Sequence, residues 1–169
     1  MKETPHESRY VLYNARTLFS EGSHEEAKEL FKKVLSFEDL GIADKAFIYR
    51  SLSICDKKNT VHYLKKCIET DPQRREGYVL LAAYYFRKNK WGTVYKYAKL
   101  ATDITKKKLD MSTDNFAWGY LPYNLLAVGR NNKNIFKKKL QMNLTSIVSL
   151  HFDLFGEVKN SNSEDNISI

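Results

Sequence analysis

Few side chains in this sequence of 169 residues stand at spacings that do chemistry. His62 lies five residues before Cys67, with Cys55 upstream, and together they offer imidazole and thiolate donors. A zinc site needs more ligands than these, such as two histidines four apart on one helix, and the sequence has no such pair. Cys67 is therefore read as a small packing residue, and no metal or cofactor is expected. A Gly-rich phosphate loop, a nucleophile elbow and a His-Glu-x-x-His motif are all absent, so no catalytic residue is assigned. Trp91 and Trp118 could stack on a sugar or a base, but aromatics at helical spacing usually fill cores. Trp91 is assigned to packing at a helix start, and Trp118 lies on a connecting segment with Pro122.

Charge is the other chemical resource. The net charge is +8, and it is concentrated in the middle of the chain. Residues 56–139 hold 19 basic and 7 acidic side chains, whereas residues 1–55 hold 8 and 9. Two lysine triplets, Lys106-Lys107-Lys108 and Lys137-Lys138-Lys139, could track phosphates, which gives a polyanion-binding alternative with nucleic acid as the ligand. The competing reading is that these lysines are the solvated faces of helices.

The elements that must carry these residues are helical. Apolar residues 43% and aromatics 13% suffice for a core, and 7 Gly with 3 Pro argue against a turn-dense β fold. Apolar residues recur at three- and four-residue steps over 8–21, from Ser23 to about Phe37, and over 43–55, 59–70, 74–88 and 91–105. Gly22 suits a helix C-cap and Ser23 the next N-cap. The longest apolar run, Tyr78–Phe86, is too short to span a bilayer. Two cysteines cannot build a disulfide scaffold, and the polar Met1–Glu7 has no signal h-region, so a cytoplasmic location with no membrane contact is expected.

The helices repeat. Ala27, Thr60 and Val94 are separated by 33 and 34 residues, as are Phe31, Leu64 and Ala98, and Val34, Cys67 and Ala101. Val11, Ala15, Leu18 and Phe19 recur two periods later as Tyr78, Ala82, Tyr85 and Phe86. A helix–turn–helix unit of this length cannot bury its faces alone, so its copies must stack.

This pattern resembles the tetratricopeptide repeat. More narrowly, five words and a lone tryptophan, taken in order, resemble the tetratricopeptide region that follows family 2 glycosyltransferase domains in bacterial and phage proteins. They are Arg9-Tyr10-Val11-Leu12-Tyr13, Tyr63 to Ile68, Asp71-Pro72-Gln73-Arg74-Arg75-Glu76, Leu80 to Tyr85, Trp91, and Ala117-Trp118-Gly119-Tyr120-Leu121-Pro122 running on to Ala127. The resemblance covers residues 8–128. It implies an all-α, right-handed superhelical stack of about three repeats (8–41, 42–72, 73–106) with a partial fourth. Residues 134–155 are expected to add a C-terminal capping helix, and 156–169 a disordered tail. The catalytic domain of such enzymes is an α/β fold with an Asp-x-Asp-type metal motif. The chain has no such motif, so a non-enzymatic accessory array is expected.

Tetratricopeptide arrays bind extended peptides with the first helix of each pair. By matching positions, the resemblance places Arg9, Leu12, Arg16 and Phe19 in that groove from copy one. Tyr49 joins from copy two, and Glu76, Val79, Ala83, Phe86 and Arg87 from copy three. The expected role is a protein-interaction scaffold whose partner is a protein or peptide, such as a glycosyltransferase or its acceptor.

Overall fold

A computed structural model describes residues 5–110 and 112–131. These residues form seven α-helices and two short 3₁₀ turns, and no strand occurs among them. The helices are α1 (Pro5–Ser20), α2 (His24–Val34), α3 (Ile42–Cys55), α4 (Thr60–Thr70), α5 (Arg75–Arg87), α6 (Trp91–Asp103) and α7 (Leu121–Arg130). The 3₁₀ turns are Lys57–Asn59 and Asn115–Ala117. The expected capping helix at 134–155 and the tail at 156–169 lie outside the described residues, as do Lys137, Lys138 and Lys139.

Helices join in pairs through short turns, α1 with α2, α3 with α4 and α5 with α6, and α7 packs back on α6. The positions in 33- and 34-residue register are where the pairs close. Ala27, Phe31, Val34, Leu64, Cys67, Val94, Ala98 and Ala101 are all buried. Thr60 is half-buried instead, and its hydroxyl donates to the Ser53 carbonyl at 2.9 Å. That bond ties α4 to the end of α3.

The same offset governs the turns. Gly22 adopts φ 85° and Asn89 φ 54°, the left-handed conformation that Gly and Asn tolerate best. At the first turn, Gly22 N–H donates to the Phe19 carbonyl and Ser23 N–H to that of Leu18. At the second, Asn89 N–H donates to Phe86 and Lys90 N–H to Tyr85. Both are the paired bonds of a Schellman motif, and their members are two periods apart. The ring pairs beside them match as well: Phe19 lies 5.5 Å from His24, and Phe86 5.5 Å from Trp91. Ser23 does occupy the N-cap position of α2, but its side chain makes no capping bond. The α2 helix also ends at Val34, short of Phe37, which is buried beyond it.

Three clusters of buried apolar side chains result. Val11, Leu12, Ala15, Phe19, Phe31, Ile48 and Leu52 join α1, α2 and α3. Leu64, Leu80 and Leu81 join α4 to α5. Val79, Ala82, Phe86, Val94, Ala98, Leu121 and Leu125 join α5, α6 and α7. The α5 helix is buried on nearly every side, which follows from its unbroken apolar run. At the far end Gly129 lets α7 approach α6 so closely that an added Cβ would stand 2.6 Å from the Tyr95 backbone nitrogen.

Candidate functional site

The connection from α6 to α7, Ile104 to Tyr120, is far longer than the other joints and does not run free. It folds back over the N-terminal end of α5 and reaches α3. Arg75, the first residue of α5, donates from Nε to the Ile104 carbonyl at 2.7 Å, and its guanidinium stacks 4.1 Å from the Trp118 ring. Arg74 grips Asp110 with two nitrogens, Nη1 at 3.1 Å and Nη2 at 2.6 Å. From α3, Arg50 pairs with Asp114 at 2.6 Å and donates to the Ser112 carbonyl at 3.1 Å. Glu76 accepts the Asp114 backbone N–H at 3.0 Å.

Below these sits Asp71, in the turn after α4. Its carboxylate accepts Lys108 at 2.7 Å on both oxygens, Arg74 at 3.3 Å and the Gln73 backbone N–H at 3.3 Å. Burial works to raise this carboxyl, but Lys108 and Arg74 outweigh it and hold it below the usual carboxylate range. The hydrogen bond from Arg74 likewise holds Asp110 low. On Arg74 itself, burial opposes the charge and Asp110 more than restores it. The four groups that meet the connection, Arg50, Arg74, Arg75 and Glu76, are all buried, so little water screens the pairs they make. One oxygen, Glu76 Oε2, is buried with no hydrogen-bond partner.

A second arginine arrangement continues onto α1. Arg16 and Arg50 both lie over the Phe47 ring, at 4.3 and 5.1 Å from its centroid. Arg16 pairs with Asp44 at 2.9 Å, and its Nε is buried without a partner. The first helices therefore present cationic groups in succession, Arg16, Arg50 and Arg74–Arg75, and the last three already hold a segment of the chain.

The residues expected to line a groove divide. Arg9 and Arg87 are exposed, and Arg16 and Tyr49 are half-buried. Leu12, Phe19, Glu76, Val79, Ala83 and Phe86 are buried, so their side chains face the core or the α6–α7 connection and are not offered to a partner. Of the first lysine triplet, Lys106 is exposed, Lys107 donates to Asn115 at 3.0 Å and Lys108 is committed to Asp71. Cys55 lies 3.9 Å from His24, while His62 packs on Tyr63 with ring centroids 5.4 Å apart. No group of three or more His, Cys, Asp or Glu fit to hold a metal occurs among the described residues. No helix among them is long and apolar enough to cross a membrane.

Arg50, Arg74, Arg75, Asp110 and Asp114 were not singled out as a site by spacing. The signal was faint: an Arg-Arg-Glu word at the head of an apolar helix, and two aspartates four apart in an otherwise basic connection. Comparison with protein-family models, with curated proteins and with solved structures finds no match to this chain.

Proposed function

We propose that this chain is a non-catalytic, tetratricopeptide-like scaffold whose first-helix face binds an acidic segment of another protein. The stacked repeat is supported by the recurring Schellman turns and ring pairs two periods apart, and by burial at the period positions. A right-handed superhelix is the stack such units build.

The observation that carries the binding reading is the hold of Arg74 on Asp110 and of Arg50 on Asp114. The face receives carboxylates from a segment that turns at Asp110, where the Thr113 N–H donates to the Asp110 carbonyl at 3.1 Å, using guanidinium forks suited to carboxylates. Arg16 extends the same chemistry toward α1. The resemblance to glycosyltransferase-linked repeats makes a glycosyltransferase, or the protein it glycosylates, the first partner to try. The basic middle segment supports the polyanion alternative less, because Lys107 and Lys108 are engaged within the chain.

Affinity capture from lysate with and without nuclease, followed by mass spectrometry, tests this. The expected result is a nuclease-resistant protein partner that is lost with Arg16→Glu. Recovery of nucleic acid, with every protein partner lost after nuclease, would overturn it.

A further inference from the structure

Resting on that reading of the first-helix face, we infer that the acidic stretch of the α6–α7 connection is a resident ligand of the groove. An incoming peptide with two carboxylates four residues apart displaces it. Three observations converge on this.

Among its described residues, 106–110 and 112–114, the stretch is held by polar groups. Asp110 and Asp114 meet Arg74 and Arg50, Lys108 meets Asp71, and the Asp114 N–H meets Glu76. Leu109, the apolar side chain among those residues, is 88% exposed. The ends are anchored separately, Ile104 through its carbonyl on Arg75 and Ala117 in the core beside α5 and α7. The acidic middle can therefore leave while both ends stay and no apolar cluster opens.

Leaving also strands no charge. Arg74 keeps Asp71 at 3.3 Å when the stretch lifts, and the acids that leave, Asp110 and Asp114, are already 36% and 35% exposed, so the broken pairs are partly in water from the start. Closed and open states can then lie close in free energy, which is the condition under which a ligand shifts them.

The fit of the resident segment is incomplete. Glu76 gives one oxygen to Asp114 N–H, but its Oε2 is buried and unpartnered. A displacing peptide that adds a donor beside its second carboxylate fills that acceptor, so the resident segment can be outcompeted by a ligand of its own class.

A fluorescent peptide copying residues 106–116, titrated into the intact chain and into the Asp110→Asn/Asp114→Asn double variant, tests this by anisotropy. The double variant is expected to bind about tenfold tighter or more, because its groove is already vacated. A peptide with both aspartates replaced by asparagine should not bind, nor should the double variant when Arg50→Ala is added. A double variant with native circular dichroism that binds no tighter than the parent overturns the inference. If that variant does not fold, hydrogen exchange on the parent decides. The Ser112 and Asp114 amides should exchange well before those of α5 and faster with added peptide, whereas exchange of both sets together overturns the inference. The two readings fail separately. A lysate partner captured equally by parent and double variant keeps the scaffold and removes the resident ligand. Peptide binding without any Arg16-dependent partner does the reverse.

Discussion

Replacing Arg74 with alanine removes the side chain on which the α6–α7 connection most depends. The guanidinium is 4% exposed and bridges Asp110, at 2.6 and 3.1 Å, to Asp71 at 3.3 Å, with Thr113 Oγ1 at 3.4 Å. Deleting one member of a buried ion pair costs about 3–5 kcal/mol when the orphaned charge stays buried. Here neither acid is wholly orphaned. Asp71 keeps Lys108 on both oxygens at 2.7 Å, and the Asp110 side chain, 36% exposed, can turn to water. The expected loss is therefore about 2–3 kcal/mol, below the range for a stranded charge and above that for a surface pair. Urea unfolding followed by circular dichroism should show it as a lower midpoint at constant slope. Arg74→Lys should recover part of the loss, since one ammonium cannot fork onto Asp110 and reach Asp71 as well. A cycle with Asp110→Asn should give a coupling of about 1–3 kcal/mol. If Arg74→Ala lies within about 0.5 kcal/mol of the parent, the guanidinium does not hold the connection in solution and the reasoning fails.

Gly129→Ala should destabilise by about 1–2 kcal/mol in a thermal melt, because its Cβ meets the Tyr95 backbone at 2.6 and 2.7 Å and the Tyr95 Cβ at 2.9 Å, and the clash exceeds the gain in helix propensity. Gly92→Ala, with nothing within 4 Å of the new Cβ, should instead stabilise by about 0.5 kcal/mol, and the same sign for both would refute the packing of α7 on α6. Asp71 and Asp110 are held below the unfolded carboxylate range, so the folded chain binds fewer protons than the unfolded one in acid. Their contribution is full above about pH 4 and is lost as pH falls through their folded values. NMR titration should show both midpoints below about 3.9, with Asp110 rising in Arg74→Ala. Burial pushes the Cys55 and Cys67 thiols up to about 12, so at pH 8 both should resist a disulfide reagent until urea unfolds the chain.

Much of the fold was legible because α1, α2, α4, α5 and α6 each showed twice, once by an apolar step and once by a place in the period, whereas α3 showed by its step alone and α7 (Leu121–Arg130) followed from neither. The offset from Ala27 to Thr60 to Val94 located α2, α4 and α6 to within a few residues. Thr60 broke the small-apolar pattern, and its hydroxyl explains the tolerance, since it satisfies a bond to α3. Ser23 takes the N-cap position its type suggests, but its side chain makes no capping bond while its N–H closes the Schellman turn onto Leu18. Capping residues are recognised by type, but whether the side chain turns in depends on the backbone of the preceding turn.

The site was less legible, and α5 shows why. The groove assignment treated each first helix as one apolar face and one open face. The run from Tyr78 to Phe86 is apolar on all sides, and such a helix has no open face to offer. Read in that light, Val79, Ala83 and Phe86 had to be covered, by α6, α7 and the connection between them. A helix covered this way presents only its polar end, and at that end stand Arg74, Arg75 and Glu76. Three charged residues at the mouth of a buried helix need partners of opposite charge or water. The aspartates at 110 and 114 are the nearby acids that a folded-back connection could bring. Spacing within one element could not show this, because the residues that meet are 36 to 64 apart in sequence. What joins them is charge balance over a buried helix end, and that is a constraint a sequence states only when its elements are read against one another.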